Sequence, residues 1–191
     1  MSQWRRRHED GWAHDLDALA RLIRPETRML YLNQPHNPTG TLMARPVFEQ
    51  VIGLARDHGL ILFSDEVYRE LEHDPAQRLP PACDVYERAV SLGSISKSYG
   101  LPGLRIGWVA TRDSALRDAV AVLKDYTTIC TSAPSEFLTW VLDDAGEQDA
   151  AAVLTELPPP ARLVYRWVLR PRYDAQHRWQ IPSTAAAGRD T

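Results

Sequence analysis

Lysine is nearly absent from this chain. Only Lys97 and Lys124 carry an amine, although lysine and arginine together number 22. Cysteine is as scarce: Cys83 and Cys130 fit no metal or redox spacing and offer no disulfide framework. No apolar run approaches the roughly 20 residues that a membrane-crossing helix needs. The basic start, Trp4 to Arg7, is followed by no signal-peptide core. A net charge of −3 offers no global attraction to nucleic acid or anionic lipid. There is no internal repeat. These absences argue against a membrane protein, a nucleic-acid binder and a disulfide scaffold, and they make a reduced, cytoplasmic home the default expectation. What is present suits a soluble globular chain: 191 residues, 44% hydrophobic and 25% charged, enough for one domain with a sizeable core.

Periodicity then orders the chain. Leu16, Leu19, Ala20, Leu22 and Ile23 recur at helical spacing between a candidate N-cap, Asp15, and a stop at Pro25. Residues 28–32 read as a short buried strand that runs into a proline-rich loop, Asn33-Gln-Pro-His-Asn-Pro-Thr-Gly40. Val47, Phe48, Val51, Ile52 and Ala55 give the next helix one apolar face, with Pro46 near its start and Gly59 beyond its end. Residues 60–63 form a second strand, so the unit is strand, helix, strand, which implies parallel pairing and a right-handed crossover. Strands are expected at 88–92 and 106–110, and helices at 114–126 and 134–143. The fold class is α/β, a mostly parallel sheet with helices on both faces.

The densest chemistry lies between the last two strands, in Ser91-Leu-Gly-Ser-Ile-Ser-Lys-Ser-Tyr-Gly-Leu-Pro-Gly-Leu-Arg-Ile-Gly-Trp108. A lysine among hydroxyls, with an arginine eight residues on, suits a ligand bearing a phosphate and a carbonyl. The guanidinium forks onto phosphate oxygens, Ser94 and Ser96 donate, and the amine condenses with an aldehyde. Pyridoxal phosphate is the common cofactor that carries both groups. Asn37 follows the first strand, Asp65 the second and Lys97 the third. The carboxyl ends of parallel strands are where open α/β sheets bind ligands.

Taken together, residues 33–40, Ser-Asp-Glu-Val-Tyr at 64–68, Ser-Ile-Ser-Lys at 94–97 and Gly-Leu-Arg-Ile-Gly-Trp at 103–108 resemble the class I/II aminotransferase family, the fold-type I enzymes that use pyridoxal phosphate. The likeness covers roughly residues 11–146. It implies that Lys97 carries the cofactor as an imine and afterwards moves the proton at the substrate Cα. It also implies that Asp65 faces the pyridine nitrogen, that Asn37 and Tyr68 hold the phenolic oxygen, and that Ser94, Ser96 and Arg105 hold the phosphate. The strand after Arg105 is expected to run antiparallel. The implied partners are an amino acid, a 2-oxo acid and a second copy of the chain, since the family is usually homodimeric.

Departures from the family shape three more expectations. Residues 1–10 are set apart as an N-terminal arm, 11–146 as the cofactor-binding segment and 147–191 as an atypical tail expected to pack poorly beyond about Pro158. Family members carry a longer region ahead of these motifs and a small domain after them, so the chain is expected to be a fragment with impaired turnover. Chemistry on the same fold other than amino transfer (a lyase, cyclase or synthase) stays open, as does a non-catalytic remnant or a ligand-sensing module.

Overall fold

The computed structural model describes residues 1–144, so the expected tail at 147–191 lies outside the described residues. Helix α1 (Leu16–Leu22) leads to strand β1 (Met29–Asn33), helix α2 (Arg45–Asp57) and strand β2 (Ile61–Asp65). A single helical turn α3 (Ala82–Val85), strand β3 (Ala89–Ser94), strand β4 (Gly107–Thr111) and helices α4 (Ser114–Thr127) and α5 (Ala133–Asp144) follow. Every expected helix and strand is found within two residues of its expected bounds. The turn α3 is an addition to the expected elements, because four residues offer no period to read. None of the described helices is long and apolar enough to cross a membrane.

Local signals explain the boundaries. The Asp15 carboxylate caps α1 by accepting from the Ala18 amide at 2.8 Å. Pro46 sits in the first turn of α2, and Gly59 turns the chain out of that helix at φ +61°. The four strands lie side by side in the order β1-β2-β3-β4. β1 and β2 pair in parallel, as do β2 and β3, and β4 returns antiparallel to β3. Gly93 matters at the last pairing: a Cβ there would run into the ring of Trp108 opposite.

Most apolar burial lies against one face of this sheet, although Val90, level with Phe63 on the other face, is buried as well. Phe48, Val51, Ile52 and Ala55 of α2 pack with Leu32, Leu62 and Ala89, and Leu19, Met43, Leu60, Leu79, Ala82 and Tyr86 complete the cluster. Each of Phe48, Val51 and Ile52 contributes roughly 1.5–3 kcal/mol by leaving water, which outweighs any propensity difference within α2. The hydroxyl of Tyr86 is satisfied in that interior at the Leu60 carbonyl, 2.7 Å away. On the opposite face Tyr31 and Phe63, neighbours in register, stack with ring centres 5.9 Å apart, and Tyr31 stays 59% exposed.

A buried carboxylate joins the loop after β2 to α3 and β3. Glu66 is 8% exposed, and its Oε1 accepts from the Ala82 amide and the Ser91 hydroxyl, both at 2.9 Å. Ser91 Oγ in turn accepts from the Cys83 amide at 3.1 Å. Arg69 Nη1 lies 4.0 Å from the other carboxylate oxygen. Residues 1–10 are tied down as well. Trp4 Nε1 donates to the Asp15 carbonyl at 2.8 Å, and Arg6 reaches Thr41 Oγ1 at 2.9 Å and His14 Nε2 at 3.2 Å.

Two measurements test this packing. Glu66→Ala strands a buried amide and a buried hydroxyl and should cost about 3 kcal/mol in denaturant unfolding. A loss under about 1 kcal/mol would mean that the network is not holding the loop. His14, pushed down to about 4 by burial and by the charges of Arg6 and His36, stays neutral where an unfolded histidine takes up a proton. The unfolded chain thus binds more protons between pH 6.5 and 4, so stability falls as the pH drops through that window and levels off below it. Melting temperatures followed across the same range should show the slope, and His14→Gln should flatten it.

Candidate active site

The parallel register brings three chain exits to one edge of the sheet. Asn33 pairs with Asp65, and Asp65 with Leu92, so β1, β2 and β3 end side by side, and antiparallel β4 begins there, with Gly107 opposite Ser94. Asn37 therefore follows β1 at this edge. Asp65 closes β2, Ser94 closes β3, Ser96 and Lys97 follow it, and Arg105 precedes β4. Tyr68 lies in the turn three residues past Asp65. All seven residues singled out in the sequence thus belong to segments that meet at one edge.

Asp65 is held from several sides. Its carbonyl accepts from the Gln34 amide at 3.0 Å and from Asn33 Nδ2 at 3.2 Å, which ties the exit of β1 to that of β2. Its carboxylate accepts from the Val67 amide at 3.3 Å and from the Tyr31 hydroxyl at 2.9 Å. Partial burial, the hydrogen bond and the Asp65 charge push the Tyr31 hydroxyl up to about 12, so Tyr31 remains a donor across the ordinary pH range. Asn33 Oδ1 also accepts from the Asn37 amide at 2.7 Å and so shapes the loop that exposes Asn37.

Lys97 is exposed, and its Nζ stands 5.6 Å from the centre of the Tyr68 ring. The Ser94 and Ser96 hydroxyls lie 2.7 Å apart, and Ser94 Oγ also accepts from the Ser96 amide and donates towards the Ile106 carbonyl at 3.1 Å. Arg105 takes a left-handed backbone at φ 56°, and its guanidinium donates to the Pro102 carbonyl at 2.7 Å rather than to either serine. The edge therefore gathers an amine, a carboxylate, two hydroxyls and a guanidinium. That set can condense with a carbonyl, face a protonated ring nitrogen and receive a phosphate.

Three side chains that sequence reasoning left without a role also enter this site. Tyr31 lies two residues before Asn33 on the same strand face as Asp65, a position visible only once the β1–β2 register is known. Glu66 and Ser98 fasten the turn that carries Tyr68. Among the described residues there is no cluster of three or more His, Cys, Asp or Glu that could hold a metal ion.

Comparison with known proteins identifies the family. Residues 1–156 match the family model for aminotransferase class I and II. The chain is 36% identical over 172 residues to an arginine–pyruvate transaminase of Pseudomonas aeruginosa, a match over 88% of this chain and 40% of that protein. It is 32% identical over 167 residues to capreomycidine synthase of Streptomyces vinaceus, with 87% of this chain and 42% of that one covered. Among solved structures, a PLP-dependent aminotransferase from Streptococcus suis superposes with a TM-score of 0.66 at 37% identity, covering 72% of this chain and 36% of that chain. The N-succinyldiaminopimelate aminotransferase of Mycobacterium tuberculosis gives a TM-score of 0.65 at 33% identity over 74% of this chain and 37% of its own. The chain thus spans about two fifths of the length of the curated relatives it matches. With the family model matched over 156 of 191 residues and the fold shared with solved members, the chain belongs to the aminotransferase class I and II family.

Proposed function

We propose that this sheet edge binds pyridoxal phosphate and serves amino-group transfer between an amino acid and a 2-oxo acid. The observation that carries the reading is the convergence of the Asp65 carboxylate and the Lys97 amine on one edge, set by the register of three parallel strands. The residues present fit the cofactor's chemistry. An exposed amine stands over an aromatic ring, a carboxylate is pinned by two donors, and paired serine hydroxyls share the edge with a guanidinium bonded, among the described residues, only to a backbone carbonyl of its own loop. When bound, pyridoxal phosphate supplies an aldehyde for amines and a ring that draws electrons away from an amino acid's Cα.

The chain's own residues then divide the work. Lys97 Nζ would be the group that holds the cofactor's aldehyde carbon and that takes and returns the proton at the substrate Cα. Asp65 keeps a proton on the pyridine nitrogen, and the Tyr31 hydroxyl and Val67 amide hold the carboxylate for that task. Asn37 and Tyr68 orient the ring through its phenolic oxygen. Ser94, Ser96 and Arg105 receive the phosphate, Arg105 by giving up its bond to Pro102. The partners under this reading are the amino donor, the 2-oxo acceptor and a second copy of the chain.

A second reading keeps the cofactor and changes the reaction. It is favoured by one relative, 32% identical, that is named a synthase rather than a transaminase. The residues described here bind and orient a cofactor, which serves both readings.

Borohydride reduction of the protein loaded with pyridoxal phosphate should label Lys97. Label confined to Lys124, on α4, would place the chemistry elsewhere. Lys97→Ala should lower transfer from a panel of amino acids to pyruvate or 2-oxoglutarate by about 10²- to 10⁴-fold, the usual worth of a positioned acid–base group. Cofactor loading at Lys97 with a product other than the transferred amine would select the second reading.

A further inference from the structure

Ser98, next to Lys97, reaches far back along the chain. It is half-buried, and its hydroxyl donates to the Arg69 carbonyl, with the Val67 carbonyl 3.5 Å away. Those two carbonyls flank Tyr68. One residue earlier, Lys97 Nζ stands over the Tyr68 ring, 5.6 Å from its centre. Two consecutive residues of the turn after β3 thus meet a single stretch of the turn after β2, one from above the ring and one from the backbone beside it. A hydroxyl has one proton to give, so Arg69 takes it and Val67 sits at the outer limit of the interaction.

The remainder of that turn is anchored elsewhere. Glu66 fixes its start to α3 and β3, and Arg69 Nη1 donates to the Leu79 carbonyl at 2.7 Å. The Arg69 amide bonds back to the Glu66 carbonyl at 2.8 Å and the Leu71 amide to that of Tyr68 at 3.1 Å, so the turn keeps its own shape. Neither set of bonds ties Tyr68 to the segment that carries Lys97. The Ser98 hydroxyl does.

We propose that Ser98 is a positioning residue for the cofactor pocket, its hydroxyl latching residues 66–71 onto the turn after β3 so that Tyr68 is held at fixed reach of Lys97. The inference rests on the pyridoxal phosphate reading, in which Lys97 engages the aldehyde and Tyr68 the adjacent phenolic oxygen of one ring. Groups that act on neighbouring atoms of a ligand depend on their mutual spacing, and a displacement of about 1 Å is enough to lose most of their joint effect. Without the latch, the Tyr68 turn keeps its hydrogen bonds and its place in the fold but gains freedom relative to Lys97.

The test compares the full chain with Ser98→Ala, Ser98→Val and Ser98→Thr. Valine and threonine share a shape, so the pair isolates the hydroxyl even where alanine perturbs folding. Without cofactor, amide exchange across residues 66–71 should quicken about fivefold in the alanine and valine variants, the worth of one ordinary hydrogen bond, and return to normal with threonine. With pyridoxal phosphate, affinity should fall by about the same factor. The pH midpoint of the bound cofactor's visible absorbance should rise by about half a unit as Tyr68 loses its hold on the phenolic oxygen. Threonine should restore both. Unchanged exchange, or an unchanged midpoint in a cofactor-loaded valine variant, overturns the latch alone. A wild-type chain that gains no such absorbance defeats the functional reading and, with it, the latch's role toward the cofactor.

Discussion

Parallel pairing of β1 with β2 and of β2 with β3 sends three successive chain exits to the same edge, and the polar residues of the candidate site sit at or just past those exits. An antiparallel partner at either pairing would have sent one exit to the far side. The crossover helices enforce the arrangement. A parallel return needs an intervening element on the sheet face, and α2 supplies one whose apolar stripe buries Phe48, Val51, Ile52 and Ala55. Burial on one face therefore determines where polar groups arrive at the edge. β4 then reverses direction, so Arg105, ahead of its first residue, comes to that edge as well.

Alternation along β2 resolves what looks like a conflict between stability and exposure. Ser64 and Glu66 turn toward the packed side and are buried, while Asp65 between them remains partly accessible. The Asp65 carboxylate is thus set between two buried polar neighbours, and one of these, Glu66, has its acceptor oxygen filled by Ala82 and Ser91. A buried, hydrogen-bonded carboxylate costs desolvation that a leucine would not. In return it fixes the start of the turn that carries Tyr68, a task that apolar packing performs with less angular definition.

Much of this could be read from the chain itself. Helical spacing located α1, α2 and α4, with Pro25 marking the stop of α1 and Gly59 that of α2. The order of polar residues after apolar runs points to the shared edge, and the family resemblance implies the direction of β4. Tyr31 could not be found that way. Its hydroxyl meets Asp65 because Met29 pairs with Ile61, and a shift of one residue would send it to the packed face. Nor could α3, a single turn held by Glu66 from sixteen residues away rather than by any pattern of its own. What the sequence hid is what depends on register and on long-range hydrogen bonds. What it disclosed is what depends on local period and composition.

The two sheet faces then have separate duties. The packed face carries the apolar cluster and the Glu66 network, while the opposite face presents the stacked Tyr31 and Phe63 rings next to Asp65. Because neighbouring residues on a strand point to opposite faces, a change at Phe63 or Tyr31 reaches the site with little disturbance of Leu62 or Leu32 behind it. Ser98 and Glu66 break that separation, since each links a backbone turn at the edge to the rest of the fold. They are the points where packing can alter the relation of Tyr68 to Lys97 without touching either side chain.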